Sequence, residues 1–202
     1  MLTNLKLPRR WMTLILSLGL LAPWGAWAQS VPSTPTKVRI STSMGDIEAE
    51  LHADKAPKTV ANFVQYVNDK HYDGTIFHRV IAGFMIQGGG YDAQFREKKT
   101  RAPVAHEGRQ ALAAGLKNTT GTLAMARTND PQSATAQFFI NVVDNAFLDP
   151  SFQSFGYTVF GKVTSGMDVV QKIRNTPTGA GGPFPTDVPR TPVVIQSITL
   201  LK

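Results

Sequence analysis

From Val38 to Leu51 apolar and polar residues alternate. Val38, Ile40 and Thr42 are separated by Arg39 and Ser41, and Ile47, Ala49 and Leu51 resume the beat after Met44-Gly45-Asp46. A period of two on both sides of a glycine turn predicts a β-hairpin, because successive side chains of a strand point to opposite faces. The period then changes. Pro57 suits a first helical turn, and Val60, Phe63, Val64 and Val67 recur at spacings of three and four, predicting an amphipathic helix that ends at Asn68-Asp69-Lys70. Short β-like runs follow at 76–81, 84–87, 121–126, 137–143 and 158–163, separated by segments rich in Gly, Asn and Pro. Gly88-Gly89-Gly90 reads as a turn. A second helix is predicted over 166–174, where Met167, Val170 and Ile173 share a face, and a last strand over 193–201. Dominant strands, short turns and one helix near each end favour a β-barrel or sandwich with two capping helices over any βαβ arrangement.

The first residues do not share this pattern. Lys6, Arg9 and Arg10 precede an apolar run from Trp11 to Ala22, and Ala26-Trp27-Ala28 offers small residues at the two positions a signal peptidase reads. The run is shorter than the roughly 20 residues that cross a bilayer, and Pro23 and Gly25 interrupt its end, so residues 1–28 are expected to be a cleaved signal peptide and not an anchor. Export across the inner membrane by the general route, a periplasmic location and no stable membrane insertion after cleavage follow as expectations. Residues 29–36, with two prolines among small polar residues, predict a flexible tether, and the folded domain is expected over 37–202.

Composition narrows the chemistry. The 202 residues carry a net charge of +7, which falls to +4 once the three cations of the leader are removed, and no segment concentrates Lys and Arg as a nucleic-acid footprint does. No cysteine is present, which excludes thiol catalysis and disulfides. His52, His71, His78 and His106 lack the spacing of metal ligands, and neither a G-x-S-x-G elbow nor a phosphate loop occurs, so no metal and no cofactor is expected. What stands out is Arg79, set in a strand-like run between Phe77 and Ile81. By alternation these three point to one face, and Met85 and Gln87 share a face of the next run. From this segment alone, a guanidinium snorkelling over Phe77 towards water accounts for the pattern as well as a functional one does.

Further motifs decide between them. Phe77-His78-Arg79 and Gly83-Phe84-Met85-Ile86-Gln87-Gly88-Gly89 are followed by Gly121 to Thr128, Ser133 to Asn141 with Gln137-Phe138-Phe139 at its centre, Phe147-Leu148-Asp149, and Tyr157 to Val163. In this order they resemble the cyclophilin family of peptidyl-prolyl cis/trans isomerases, over about Lys37 to Lys202. The resemblance implies a mainly β fold, an eight-stranded antiparallel closed β-barrel capped by two α-helices, that accelerates rotation about X-Pro bonds. It implies Arg79 as the catalytic residue, a proline pocket of Phe84, Met85, Phe139 and Leu148, and Gln87 and Gln137 gripping the substrate backbone. The main chain at Ala126 and Arg127 is implied to face substrate, Arg127 standing where many relatives carry asparagine.

Phe147 and Tyr157 are implied to bind substrate as well, Phe147 standing where a tryptophan is common and Tyr157 where a histidine is common. Without an indole N–H at 147, weak cyclosporin binding is expected. Partners are expected to be proline-containing peptides and unfolded or partly folded exported proteins, met by a monomer. A non-catalytic peptide-binding chaperone on the same fold needs the pocket but not Arg79, and an envelope-surface interaction protein needs neither.

Overall fold

The computed structural model describes residues 35–201. The expected signal peptide, and the expected tether as far as residue 34, lie outside the described residues. Thr36, assigned to the tether, is already the first residue of the first strand. The strands are β1 (Thr36–Thr42), β2 (Gly45–Leu51), β3 (Thr75–Ile81), β4 (Met85–Asp92), β5 (Thr122–Met125), β6 (Phe138–Asn141), β7 (Val159–Ser165), β8 (Thr178–Gly181), β9 (Phe184–Pro189) and β10 (Val194–Leu201). Among the described residues there are also three helices, α1 (Pro57–Asn68), α2 (Gly108–Ala113) and α3 (Met167–Arg174), and a 3-10 turn at Ala146–Leu148.

Eight strands close into an antiparallel barrel in the order β1-β10-β3-β4-β6-β5-β7-β2, while β8 and β9 form a separate hairpin. Closure settles what the alternation left open between barrel and sandwich. The expected hairpin is β1–β2, and its inward residues are those of the alternation: Val38, Ile40, Ile47 and Ala49 are all fully buried. Phe77, Ile86, Leu123, Phe138, Ile140 and Phe160 complete the lining. Phe63 of α1 enters from one end, its ring centre 5.1 Å from Tyr72, 5.5 Å from Phe138 and 5.1 Å from Phe160. Packed side chains fill the interior of this eight-stranded barrel, which leaves its outer wall for a ligand.

The helix periods hold with small shifts. α1 buries Val60, Phe63 and Val67 and adds Tyr66 and Thr59. α3 buries Val169, Val170 and Ile173, with Met167 packed only partly against the core. No residue beside α1 caps its first turn. The carboxylate of Glu107, buried and far along the chain, accepts the backbone N–H groups of Lys58 (3.0 Å) and Thr59 (2.8 Å) and the Thr59 hydroxyl (2.7 Å).

Two readings are corrected. Gly88-Gly89-Gly90 is not a turn but lies inside β4, where two extra residues enter between Gly88 and Asp92, which pair with Phe77 and Thr75. Phe77 and Arg79 do not share a face. Phe77 pairs with Gly88 and Arg79 with Gln87, so two steps on β3 meet one on β4. This bulge interrupts the alternation. Phe77 joins the barrel core, Arg79 points out, and the intervening His78 is buried beneath the β8–β9 hairpin, stacked on Phe184 at 5.3 Å.

Candidate functional site

The bulge brings Arg79 into a transverse row. It pairs with Gln87 on β4, Gln87 with Phe139 on β6, and Phe139 with Ala124 on β5, so one line of outward positions crosses four strands. The line below it carries Ile81 beside Met85. Between inward neighbours such as Ile86, Phe138 and Ile140, these strands turn Met85, Phe139 and Ala124 outward into a second apolar cluster, joined by Leu148 and Val159 and separate from the barrel core. Phe84, Ala126 and Tyr157 pack around it.

A cleft of about 100 Å³ opens over this cluster, with Met85, Phe139 and Leu148 as apolar floor, Phe84 and Tyr157 among its walls, and Arg79, Gln87 and Arg127 at its polar edge. That volume is about three times a water's share of the liquid, the size of a small ring and far below the 300–1,000 Å³ of ordinary drug-sized pockets. The Arg79 side chain is exposed and forms no hydrogen bond or ion pair among the described residues. The other two polar groups are employed. Gln87 Nε2 donates to Gln137 Oε1 at 2.9 Å, which leaves the Gln87 carbonyl and the Gln137 amide N–H groups for a ligand. Gln137 lies so close over β4 that a Cβ on Gly90 would come within 2.6 Å of its side-chain amide.

Gln137 itself lines a second, larger cleft of about 270 Å³ that shares Gln87, Ala126 and Arg127 with the first and adds Glu97, Thr128, Ser133 and Thr135. The Arg127 side chain braces the boundary: its Nε and one terminal nitrogen donate to the Gly156 carbonyl (3.0 and 2.8 Å), and its guanidinium lies 4.6 Å over the Tyr157 ring. Tyr157 in turn meets Phe139 edge to face at 5.5 Å. A cation over a Tyr face is attracted by the ring quadrupole, so Arg127 fixes the wall that Tyr157 provides.

Behind the slot lies a buried polar network. Asn145 Nδ2 donates to the Phe84 carbonyl (2.9 Å) and to Asn141 Oδ1 (2.7 Å), and Asn141 Nδ2 donates to Thr122 Oγ1 (2.9 Å). Asn118 donates through its backbone and side chain to one Asp149 oxygen, at 2.7 and 2.9 Å. The network therefore ties down the backbone at one wall, Phe84, and beside one floor residue, Leu148.

Of the residues expected from sequence, Arg79, Phe84, Met85, Gln87, Ala126, Arg127, Phe139, Leu148 and Tyr157 line the slot, and Gln137 lines the adjoining cleft. Phe147 lines neither; it is 72% exposed and stacks on the outer side of Phe84 at 5.6 Å. Sequence reasoning missed Glu97, Thr128, Ser133 and Thr135 and the Asn network. The type of those residues gives no sign of a site; Glu97, Thr128, Ser133 and Thr135 join it only because the fold sets them around one cleft with Gln87 and Gln137.

Residues 37–200 match the family described as cyclophilin type peptidyl-prolyl cis-trans isomerase/CLD. The chain is 52% identical over 166 residues to "Peptidyl-prolyl cis-trans isomerase B" of Escherichia coli, covering 81% of this chain and 98% of that protein. It is 52% identical over 170 residues to "Peptidyl-prolyl cis-trans isomerase A" of Dickeya dadantii, covering 84% and 87%. Among solved structures it resembles a Cryptosporidium parvum cyclophilin type peptidyl-prolyl cis-trans isomerase, with a TM-score of 0.65 and 26% identity over 84% of this chain and 99% of that one. The same protein has also been crystallised in the presence of the dipeptide Ala-Pro. A closed eight-stranded barrel bearing an apolar slot with an arginine at its edge, and a sequence match along nearly all of the described chain, carry one conclusion: this chain belongs to the cyclophilin-type peptidyl-prolyl cis-trans isomerases.

Proposed function

We propose that the slot between Phe84, Met85, Phe139 and Leu148 receives the proline ring of an X-Pro segment, and that Arg79 is the catalytic residue for rotation of the bond before it. The peptide C–N bond resists rotation by about 18–20 kcal/mol because the nitrogen lone pair is delocalised. At mid-rotation the prolyl nitrogen regains that pair and accepts a hydrogen bond which the planar bond cannot, so a donor placed there stabilises the transition state selectively. A guanidinium suits this role, being permanently charged and a rigid fork. The observation that carries the reading is the state of Arg79: turned out by the bulge to the edge of an apolar slot, and with no partner among the described residues.

A charge-assisted hydrogen bond contributes about 1.5–3 kcal/mol, or roughly ten- to a hundredfold in rate. The remainder of the acceleration comes from holding the bond part-way rotated. Gln87, Gln137 and the backbone at Ala126 and Arg127 grip the acyl side, with the preceding residues over the 270 Å³ cleft, while the apolar floor fixes the ring. No proton moves and no bond breaks. Exchange of an X-Pro tetrapeptide followed by NMR tests this: Arg79→Ala is expected to lower catalysis more than tenfold with the fold intact, and an unchanged rate refutes the assignment.

The setting is proposed from the leader. Cleavage after Ala28 delivers the domain to the periplasm on a short tether, as a monomer that assists the folding of exported proteins. Protein recovered from the periplasm is then expected to begin at Gln29; cell-associated protein that keeps Met1 overturns this.

A further inference from the structure

Among the described residues four large apolar side chains are exposed, and three of them, Phe147, Phe152 and Phe155 at 72%, 100% and 52%, lie in or immediately before one short loop. The loop begins and ends in the slot. Leu148 and Tyr157 both line it and are joined by a bond from the Tyr157 N–H to the Leu148 carbonyl (2.9 Å). Between them the backbone is braced. The Ser151 N–H donates to the Ser154 carbonyl (2.8 Å), and Ser151 Oγ accepts the N–H groups of Gln153 and Ser154 (3.3 and 3.1 Å). From α2, Arg109 donates to the Ser151 carbonyl (2.9 Å) and lies 6.0 Å from the centre of the Phe155 ring. None of these bonds needs an aromatic side chain at position 152, where a polar one would leave every bond in place. A fixed turn that holds a phenylalanine wholly in water, with two more beside it, has the character of a contact surface.

That surface is continuous with the slot, because Phe147 stacks on Phe84, a slot wall, at 5.6 Å and 24°. An extended chain advances about 3.3 Å per residue, so a polypeptide held by its proline in the slot has further residues to lay on this rim, which a tetrapeptide lacks. Beside Phe155 a cleft of about 190 Å³ carries two cations, Lys58 and Arg109, and its one acid, Glu107, is engaged by the start of α1. Carboxylates near the apolar residues of a passing chain are thus favoured.

We propose that residues 147–155 form an accessory docking surface for the protein substrate itself, taking apolar and aromatic side chains of an unfolded polypeptide a few residues from the proline in the slot. This rests on the isomerase reading of that slot. Phe152→Ser, Phe155→Ser and the double variant, none of which alters a slot residue, test it in the mature protein. Two rates are compared: exchange of an X-Pro tetrapeptide, and refolding of a reduced, alkylated ribonuclease limited by one X-Pro bond. The expected result is tetrapeptide rates within twofold of wild type and refolding catalysis reduced at least fivefold in the double variant, with unchanged thermal midpoints. Refolding catalysis unaffected by the substitutions overturns the docking surface alone, as does an equal loss on both substrates. Binding of the wild type, but not the double variant, to vesicles of anionic phospholipid together with unchanged refolding catalysis assigns the loop to a membrane surface instead. A wild type inactive on the tetrapeptide overturns the isomerase reading and the docking surface with it.

Discussion

Acidification from pH 7 to pH 5 is expected to remove about 2 kcal/mol of stability through His78 alone. The residue is 2% exposed, its ring stacked on Phe184 at 5.3 Å and set edge-on to Tyr91 at 4.9 Å, and its Nδ1 is buried without a hydrogen-bond partner. Burial in this aromatic cage lowers its pKa to about 4; the backbone at Ile76 opposes the shift and the neighbouring Arg79 charge adds to it. An unfolded histidine titrates near 6.5. Between those two values the unfolded chain binds a proton that the folded chain refuses. The stabilisation is therefore complete above about pH 6.5 and is lost as pH falls towards 4. Two pKa values so placed give about 2 kcal/mol between pH 7 and 5, a sizeable part of the 5–15 kcal/mol that holds a typical domain. Burial also lowers His52, His71 and His106, so all four histidines contribute with the same sign. His78→Phe isolates the one at issue, since it keeps a ring against Phe184 and removes the proton. Urea unfolding at a series of pH values is the assay. The wild type should lose about 2 kcal/mol more than the variant between pH 7 and 5. Equal losses refute the reasoning, whatever the absolute stabilities.

Arg79→Lys should recover only part of the activity that Arg79→Ala loses, because a point charge on a flexible stem does not reproduce the fork; full activity on the tetrapeptide would show that charge alone suffices. Gly90→Ala puts a Cβ within 2.6 Å of the Gln137 amide, so KM should rise severalfold with kcat less affected, and an unchanged KM would mean that Gln137 does not grip substrate. Glu107→Ala strands two N–H groups of α1 and should cost about 1–3 kcal/mol in urea unfolding, with Glu107→Gln losing less; a neutral Ala variant would dismiss the remote cap. Cyclosporin should bind weakly, since Phe147 offers no N–H; inhibition as tight as in tryptophan-bearing relatives would contradict this.

The parts of the fold visible in the sequence are those whose pattern repeats. The β1–β2 hairpin and α1 each present several apolar residues at one period, and Val38, Ile40, Ile47, Ala49, Val60, Phe63 and Val67 are buried, with Val64 of the same stripe partly so. The parts that escaped have no period to show. α2 spans six residues, and β8 is Thr-Gly-Ala-Gly, which has no large side chain of its own to mark a face. Phe184 of β9 covers His78, a contact that no local pattern announces. The site divides in the same way. The residues of the slot were available because ordered motifs resemble a known family, while apolar types such as Phe139 and Leu148 would by themselves be read as ordinary core. Their near-complete burial shows why: the slot floor is a core of its own, with one face uncovered.

Building such a floor on the outside of a filled barrel constrains β3 more than any other strand. Strict alternation would put Arg79 on the side of Phe77, which is fully buried, and bury a guanidinium in the barrel at a cost no described partner offsets. Shifting the whole strand by one residue would expose Phe77 as well as Arg79 and empty the place that Phe77 fills against Phe138. The bulge avoids both, because it reverses the facing of Arg79, Val80 and Ile81 relative to Phe77 while leaving Phe77 seated. It then leaves His78 pointing neither cleanly in nor cleanly out, and the β8–β9 hairpin supplies the aromatic cover that this position requires. The acid sensitivity of His78 and the outward reach of Arg79 thus have a single structural origin, the extra residue on β3.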